Sequence, residues 1–304
     1  MINTIIHKEI LIPGKTSKMV VFSPEIARRA RPGNFLMLRV TPTGERFPLT
    51  ICDADPLEGT ITIVFLVVGK STALLETLNQ GDKILDICGP LGRDTHIEKC
   101  GTVLCVGGGT GIAAMHHIAK GHAKAGNRVL SIIGAHSRDY LIMERELSSF
   151  SHNLLIATED GSCGVKGFVT EILKPMLDNS SDLGEVIAVG PVPMMAAVSE
   201  MTRPYGLKTT VSLNSLMIDG LGMCGACRVT VGGQTLFTCV DGPEFDGHQV
   251  DFKSLNLRLS SFRDQEKISM SLFTSGSDAA HACEHCSPNM ASPKLEPRKE
   301  TPSS

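Results

Sequence analysis

No surplus of positive charge marks this chain: 29 lysines and arginines face 32 aspartates and glutamates, a net charge of −3. Proteins that neutralise phosphate backbones or anionic lipid carry a basic excess, so nucleic acid and membrane surfaces are excluded as expected partners. Long apolar runs are missing too. The longest, Ile61 to Val68, is interrupted by Thr62 and falls far short of the roughly 20 residues of a membrane helix. Met1 to Lys18 holds no basic stretch followed by an apolar run and a small-residue cleavage site. Export is therefore not indicated, and the cytoplasm is the expected compartment. No repeat of solenoid or propeller period is apparent.

What is present is globular. Apolar residues make up 42% and charged residues 20% of 304 positions, which suits two or three domains. Short β-rich runs between Gly/Pro punctuation, Lys18 to Phe22, Phe35 to Val40, Thr60 to Val68 and Lys83 to Cys88, predict a β-barrel or sandwich over residues 1–99. One helix is expected to interrupt it, from Ser71 to Leu78, with Ser71 and Thr72 as caps. From Gly101 strand and helix alternate: strand 102–106, helix 112–124, strand 129–134, strand 154–158, helix 168–177, strand 186–189, helix 194–201 and strand 208–213. That order predicts a parallel α/β domain over 100–212. Residues 213–275 read as a small metal-stapled module. The Ser, Pro, Glu and Lys of 276–304 cannot bury enough apolar surface and predict a disordered tail.

Ten cysteines without a secretory signal read as thiols and metal ligands rather than a disulfide framework. The strongest signal runs from Asp219 through Gly220, Gly222, Cys224, Gly225 and Cys227 to Cys239. Two cysteines three apart on a glycine-rich loop can grip one metal centre, and a third arrives after a hairpin. The plant-type [2Fe-2S] spacing wants a fourth cysteine five residues before Cys224, and Asp219 stands there, anionic like a thiolate but harder. Zinc held by Cys224, Cys227, Cys239 and some other residue is the alternative reading.

A second signal spans Gly107, Gly108, Gly109, Thr110 and Gly111, between a predicted strand and a predicted helix. Small residues there let backbone N–H groups and a helix N-terminus approach a pyrophosphate. The acid expected about 20 positions on, to grip a ribose, is absent, and Gly134 to Arg138 stand in its place. Tight strand-to-helix packing is the alternative explanation for these glycines. Three weaker pieces precede them, around Arg46 to Thr50, Gly69 to Thr72 and Gly89 to Gly92.

Taken in order, these motifs resemble the ferredoxin-NADP reductase superfamily over residues 1–275. The resemblance implies a multidomain β and α/β protein with a flavin-binding β-barrel, a parallel α/β nucleotide-binding domain and a small [2Fe-2S] module. It implies FAD on Arg46, Pro48, Leu49 and Thr50 and on Gly69, Ser71 and Thr72. NAD(H) is implied on Gly107 to Gly111, on Glu159 and Asp160, and on Gly190, Pro191 and Met194, with NADP left open. Thr50 would bond near the reactive flavin nitrogen, and Asp219, Cys224, Cys227 and Cys239 would hold the cluster. With Val240 to Gly247 after it, the module looks most like the small-subunit family of NADH-dependent reduced ferredoxin:NADP oxidoreductases, where aspartate replaces the cysteine of dihydroorotate dehydrogenase electron-transfer subunits. That resemblance implies flavin-based electron bifurcation with a larger flavin and [4Fe-4S] partner, itself like the small subunit of glutamate synthase, through which ferredoxin is reached. A dihydroorotate dehydrogenase electron-transfer subunit, or a non-catalytic iron-sulfur sensor, are the rival readings. Hydride transfer between cofactors needs no acid–base triad, and none is expected. His281, Cys283, His285 and Cys286 read first as incidental residues of a flexible tail, with zinc or an extra cluster as the alternative, and Cys163 beside Asp160 reads first as a packing residue, with a redox role as the alternative.

Overall fold

The computed structural model describes residues 2–179 and 182–275. The expected disordered tail, with its His281, Cys283, His285 and Cys286, lies outside the described residues.

Period-two alternation builds the first unit. In β1 (Thr4–Ile12) and β2 (Thr16–Phe22), an antiparallel pair, Ile5, Met19 and Val21 are fully buried while their neighbours face outward. After them come α1 (Pro24–Arg29), β3 (Phe35–Arg39), β4 (Phe47–Thr50), β5 (Asp53–Asp55), β6 (Thr60–Leu66), α2 (Lys70–Thr77) and β7 (Asp86–Leu91). Two sheets result, ordered β1-β2-β6-β5 and β4-β3-β7, over a shared core that includes Leu36, Leu38, Ile61, Ile63 and Phe65.

Two details depart from the sequence expectation. A second helix, α1, interrupts the strands, because Pro24 suits a first helical turn and Ile26 and Ala27 are buried. The expected strand 83–88 starts late, at Asp86. Lys83 instead bridges to Thr4, and the Ile84 N–H bonds the Asn3 carbonyl, so these residues serve the other sheet.

The alternating unit comprises β8 (Thr102–Gly108), α3 (Gly111–Lys124), β9 (Arg128–Ala135), α4 (Glu144–Ser148), β10 (Asn153–Thr158), β11 (Val165–Lys166), α5 (Val169–Asn179), β12 (Leu183–Val189), α6 (Val192–Thr202) and β13 (Thr209–Ser212). Its strands are parallel, in the order β11-β10-β9-β8-β12-β13. β8 is buried at every residue, as a central parallel strand covered by helices on both faces must be.

The last stretch holds β14 (Arg228–Val231), β15 (Gln234–Phe237), α7 (Thr238–Asp241), β16 (Glu244–Asp246), α8 (Phe252–Leu259) and α9 (Arg263–Thr274). β14 and β15 form a hairpin, while β16 runs antiparallel to β13 and becomes the seventh strand of the α/β sheet. Phe245 of β16 joins the same core as Val211 and Leu213. α9 returns to pack against α2. Among the described residues, no helix is long and apolar enough to cross a membrane.

Candidate functional site

The glycine-rich turn sits at the C-terminal end of β8, in the crevice where ligands of open α/β sheets bind. Gly107 pairs with Val189 at the end of β12, and Gly108 with Gly134 at the end of β9. A side chain at Gly111 would collide with the carbonyl of Val189 and the backbone of Gly190. One at Gly108 would meet the Met194 sulfur and Pro191. The structure therefore gathers Gly107 to Gly111, Gly190, Pro191 and Met194 into one place. Gly109 has φ +54° and donates its N–H to the Gly134 carbonyl (3.1 Å). Thr110 caps α3 without using its hydroxyl on the helix.

A carboxylate reaches the end of β9 from the turn that follows β10. The Glu159 carboxylate lies 3.3 Å from His136 Nδ1, and its N–H donates to Ala135. Parallel pairing of β9 with β10 brings the two strand ends together, a juxtaposition that one-dimensional spacing cannot display. Asp160 turns inward on its own loop. Its Oδ1 accepts the Ser162 hydroxyl (2.6 Å) and N–H (2.9 Å), which hold the carboxyl below its ordinary range. Arg138 donates to the Cys163 sulfur (3.4 Å), and its N–H donates to Ser162 Oγ (2.8 Å). Cys163 is also tied through its backbone to the Thr158 hydroxyl.

On the barrel, Pro48, Leu49 and Thr50 lie half-buried on β4, an edge strand, where a proline removes no ladder bond. Arg46 stands exposed just before it. Of the two caps expected at α2, Thr72 serves and Ser71 does not, while Gly69 takes the N-cap position. The Thr72 hydroxyl reaches back to accept the N–H groups of Val68 (3.1 Å) and Gly69 (3.2 Å), as a capping-box side chain does. Ser71 donates to Glu45 Oε2 (3.3 Å), joining this helix start to the segment holding Arg46. Val40, Glu45, Phe47, Lys70, Ser71 and Leu74 line a small depression between them.

The cysteine loop lies against the barrel. Gly220 and Gly222 have φ of +73° and +82°, and a side chain on Gly220 would strike Met37 and Leu91. Cys227 and Cys239 are buried with Phe35, Met37 and Met217, their sulfurs 3.1 Å apart. Burial and the Cys227 sulfur push the Cys239 thiol up to about 12, so a strong positive charge such as iron is needed to ionise it at neutral pH. Cys224 is exposed, its sulfur accepting the Ala226 N–H (3.5 Å). Asp219 accepts three N–H groups, from Leu221 (2.9 Å), Met223 (3.1 Å) and Cys224 (2.8 Å), which lower its carboxyl. The structure thus pairs two of the four expected ligands and holds the other two on the same loop. Among the described residues, no three such side chains converge into a metal-holding group. The donor set suits an iron-sulfur group nonetheless: three sulfurs and an ionised carboxylate on a loop whose glycines allow close approach.

Residues 214–251 match the family model described as the iron-sulfur cluster binding domain of dihydroorotate dehydrogenase B, and residues 105–200 match the oxidoreductase NAD-binding domain. A Thermotoga maritima protein named as a homolog of the dihydroorotate dehydrogenase B (NAD(+)) electron transfer subunit is 46% identical over 88% of this chain and 94% of its own length. The Fusobacterium nucleatum electron transfer subunit of that enzyme is 31% identical over 82% and 97%. A solved chain of the NADH-dependent reduced ferredoxin-NADP oxidoreductase, from work on flavin-based electron bifurcation, is 45% identical, with a TM-score of 0.85 over 90% of this chain and 98% of that one. The ferredoxin reductase of carbazole 1,9a-dioxygenase shares the fold alone, at 17% identity and a TM-score of 0.58 over 67% of this chain and 65% of that one.

Proposed function

Because the chain belongs to the family of dihydroorotate dehydrogenase B electron-transfer subunits and their homologues, we propose that it is the electron-transfer subunit of a flavin-based electron-bifurcating NAD(P) transhydrogenase. Membership makes it an oxidoreductase subunit using FAD, an iron-sulfur cluster and NAD(H). When bound, these groups supply hydride exchange between NAD(H) and FAD and single-electron exchange between FAD and a [2Fe-2S] cluster.

The chain's own residues align and insulate. Gly107 to Gly111 and the start of α3 offer backbone N–H groups to the dinucleotide pyrophosphate, with Glu159 beside its sugar and Gly190, Pro191 and Met194 walling the nicotinamide side. Arg46, Pro48, Leu49 and Thr50, with Gly69, Ser71 and Thr72, hold the FAD. Asp219, Cys224, Cys227 and Cys239 hold the cluster.

The observation that carries this reading is β3. Phe35 pairs with Thr50 on one neighbour, while Phe35 and Met37 pack against Cys227 and Cys239. One strand therefore separates Thr50, which this reading sets beside the flavin, from the sulfurs.

The partner in this reading is a larger subunit with its own flavin and [4Fe-4S] clusters, through which ferredoxin exchanges electrons. Ile218, Leu221, Met223 and Val240 rim the cysteine loop, with Met223 84% exposed, and offer that subunit an apolar contact beside the cluster. The iron-sulfur family model and the Fusobacterium relative favour a second reading, in which the partner oxidises dihydroorotate.

Visible absorption of the anaerobically purified chain tests the cofactors: flavin bands on an iron-sulfur background, bleached by NADH, are expected. A colourless chain with stoichiometric zinc sinks the reading. Capture of the native partner then decides between readings by whether NADP or dihydroorotate supports turnover. Met223→Glu is expected to weaken partner capture on the order of tenfold while leaving cofactor content intact.

A further inference from the structure

The helix that starts at the nucleotide turn also grips the barrel strand that ends at Thr50. Two consecutive histidines on the second turn of α3 face two consecutive carbonyls: His117 Nδ1 lies 3.1 Å from the Ile51 oxygen, and His116 Nδ1 3.1 Å from the Cys52 oxygen. One turn further, Lys120 Nζ meets Asp53 Oδ2 at 2.5 Å. Three side chains of one helix thus hold residues 51, 52 and 53, immediately after Thr50.

A carbonyl oxygen only accepts, so both imidazoles must carry a proton on Nδ1. Both rings are buried, and burial lowers both pKa values, that of His117 to about 4, which keeps them neutral at pH 7. The His116 ring is fixed further by edge contact with Phe150, at 5.4 Å between centroids.

The grip acts on backbone that the barrel also holds on its other side. Inside the barrel, the Ile51 and Cys52 N–H groups already donate to Asn34 (3.1 Å) and Thr62 (2.9 Å). Cys52 and Val64 of the barrel belong to the same buried core as Ile112, Met115 and Ile133 of the α/β unit. From Gly111 to His117 the helix advances only about 9 Å at 1.5 Å per residue.

We infer that His116, His117 and Lys120 are positioning residues that set the separation between the flavin-side strand at Thr50 and the nucleotide turn at Gly107 to Gly111. This rests on the cofactor placement of the proposed function. Hydride transfer depends steeply on donor–acceptor alignment, and a misplacement of about 1 Å can cost about 100-fold. A clasp of directional hydrogen bonds, unlike apolar packing, fixes register as well as contact.

The test compares His116→Leu/His117→Leu with His116→Asn/His117→Asn in the full chain, since an asparagine amide can donate to the same carbonyls. The leucine pair should keep its FAD and iron, and its half-saturating NADH concentration, while single-turnover flavin bleaching slows by about 10- to 100-fold. The asparagine pair should restore most of that rate. Amide exchange over residues 51–55 is read independently of cofactor chemistry and should accelerate in the leucine pair, and to a smaller degree in Lys120→Met, a milder change if the double variant folds poorly. Unchanged exchange over 51–55, or a wild-type bleaching rate at full cofactor content, overturns the inference. Failure of NADH to bleach the unaltered chain tells against the proposed function instead, and the exchange result still decides whether the clasp exists.

Discussion

The turn at Gly107 to Gly111 and the loop from Asp219 to Cys227 are both glycine-rich, yet they are built in opposite ways. The turn is made of backbone fitted closely against its neighbours: Gly111 leaves no room for a side chain beside the Val189 carbonyl, and Gly108 none beside the Met194 sulfur. The loop is organised by one side chain, the Asp219 carboxylate, whose three N–H contacts curl residues 221 to 224 around it. A backbone-built site binds through groups that side-chain substitution leaves in place but that added volume can block. A side-chain-built site fails when one functional group is lost.

The largest expected effect breaks the first half of that contrast. Gly111→Ala drives a methyl group into the Val189 carbonyl, which cannot swing aside as a side chain would. A cost of about 3 kcal/mol is expected, with loss of nucleotide binding, read by thermal denaturation and NADH titration.

Next comes the second half. Asp219→Ala and Asp219→Asn should each lower iron affinity on the order of tenfold or more, while Asp219→Cys retains the cluster at a changed potential. Iron analysis and redox titration check this. Asparagine can still accept N–H groups, so a fully loaded Asp219→Asn chain would confine Asp219 to shaping the loop.

The smallest effect lies on β16, where the segment after the cysteine loop joins the α/β sheet. Glu244 on β16 accepts the Thr95 hydroxyl (2.7 Å), and burial raises its carboxyl from 4.5 to about 7. The folded state thus holds this proton more tightly than the unfolded chain does. That contribution is complete below about pH 4.5 and is lost as pH rises through about 7. His117, lowered to about 4, slopes the opposite way, but equally in both proteins being compared. Glu244→Gln should therefore gain stability relative to the native chain as pH rises from 4.5 to 7, measured as the change with pH in the difference between their denaturant midpoints.

Much of the fold was legible because strong periodicity governs it. The strand, glycine turn, helix and strand from Thr102 to Ala135 fall within a residue or two of expectation, since buried parallel strands read as continuous apolar runs. β16 and α1 were not legible. Three residues of Glu244 to Asp246 carry no pattern of their own and become a strand only because β13 offers an open edge. Pro24 reads locally as a turn, and only the burial of Ile26 and Ala27 makes Pro24–Arg29 a helix. At the candidate site, Cys227, Cys239 and the glycine turn were readable from residue type and spacing. The approach of Glu159 to His136 and the grip of α3 on Ile51 to Asp53 were not, because both join elements distant in sequence.

The three residues of β16 also bear on how this polypeptide can be shortened. They cover the outer edge of Thr209–Ser212, whose amides and carbonyls would otherwise line the rim of the sheet. A chain ending near Leu213 would present that rim to any other copy, the template from which edge-to-edge aggregation grows. The segment that carries the cysteines thus doubles as a guard on solubility, and a truncation meant to isolate the nucleotide-binding half should precipitate unless β16 is retained or its place is filled by charge.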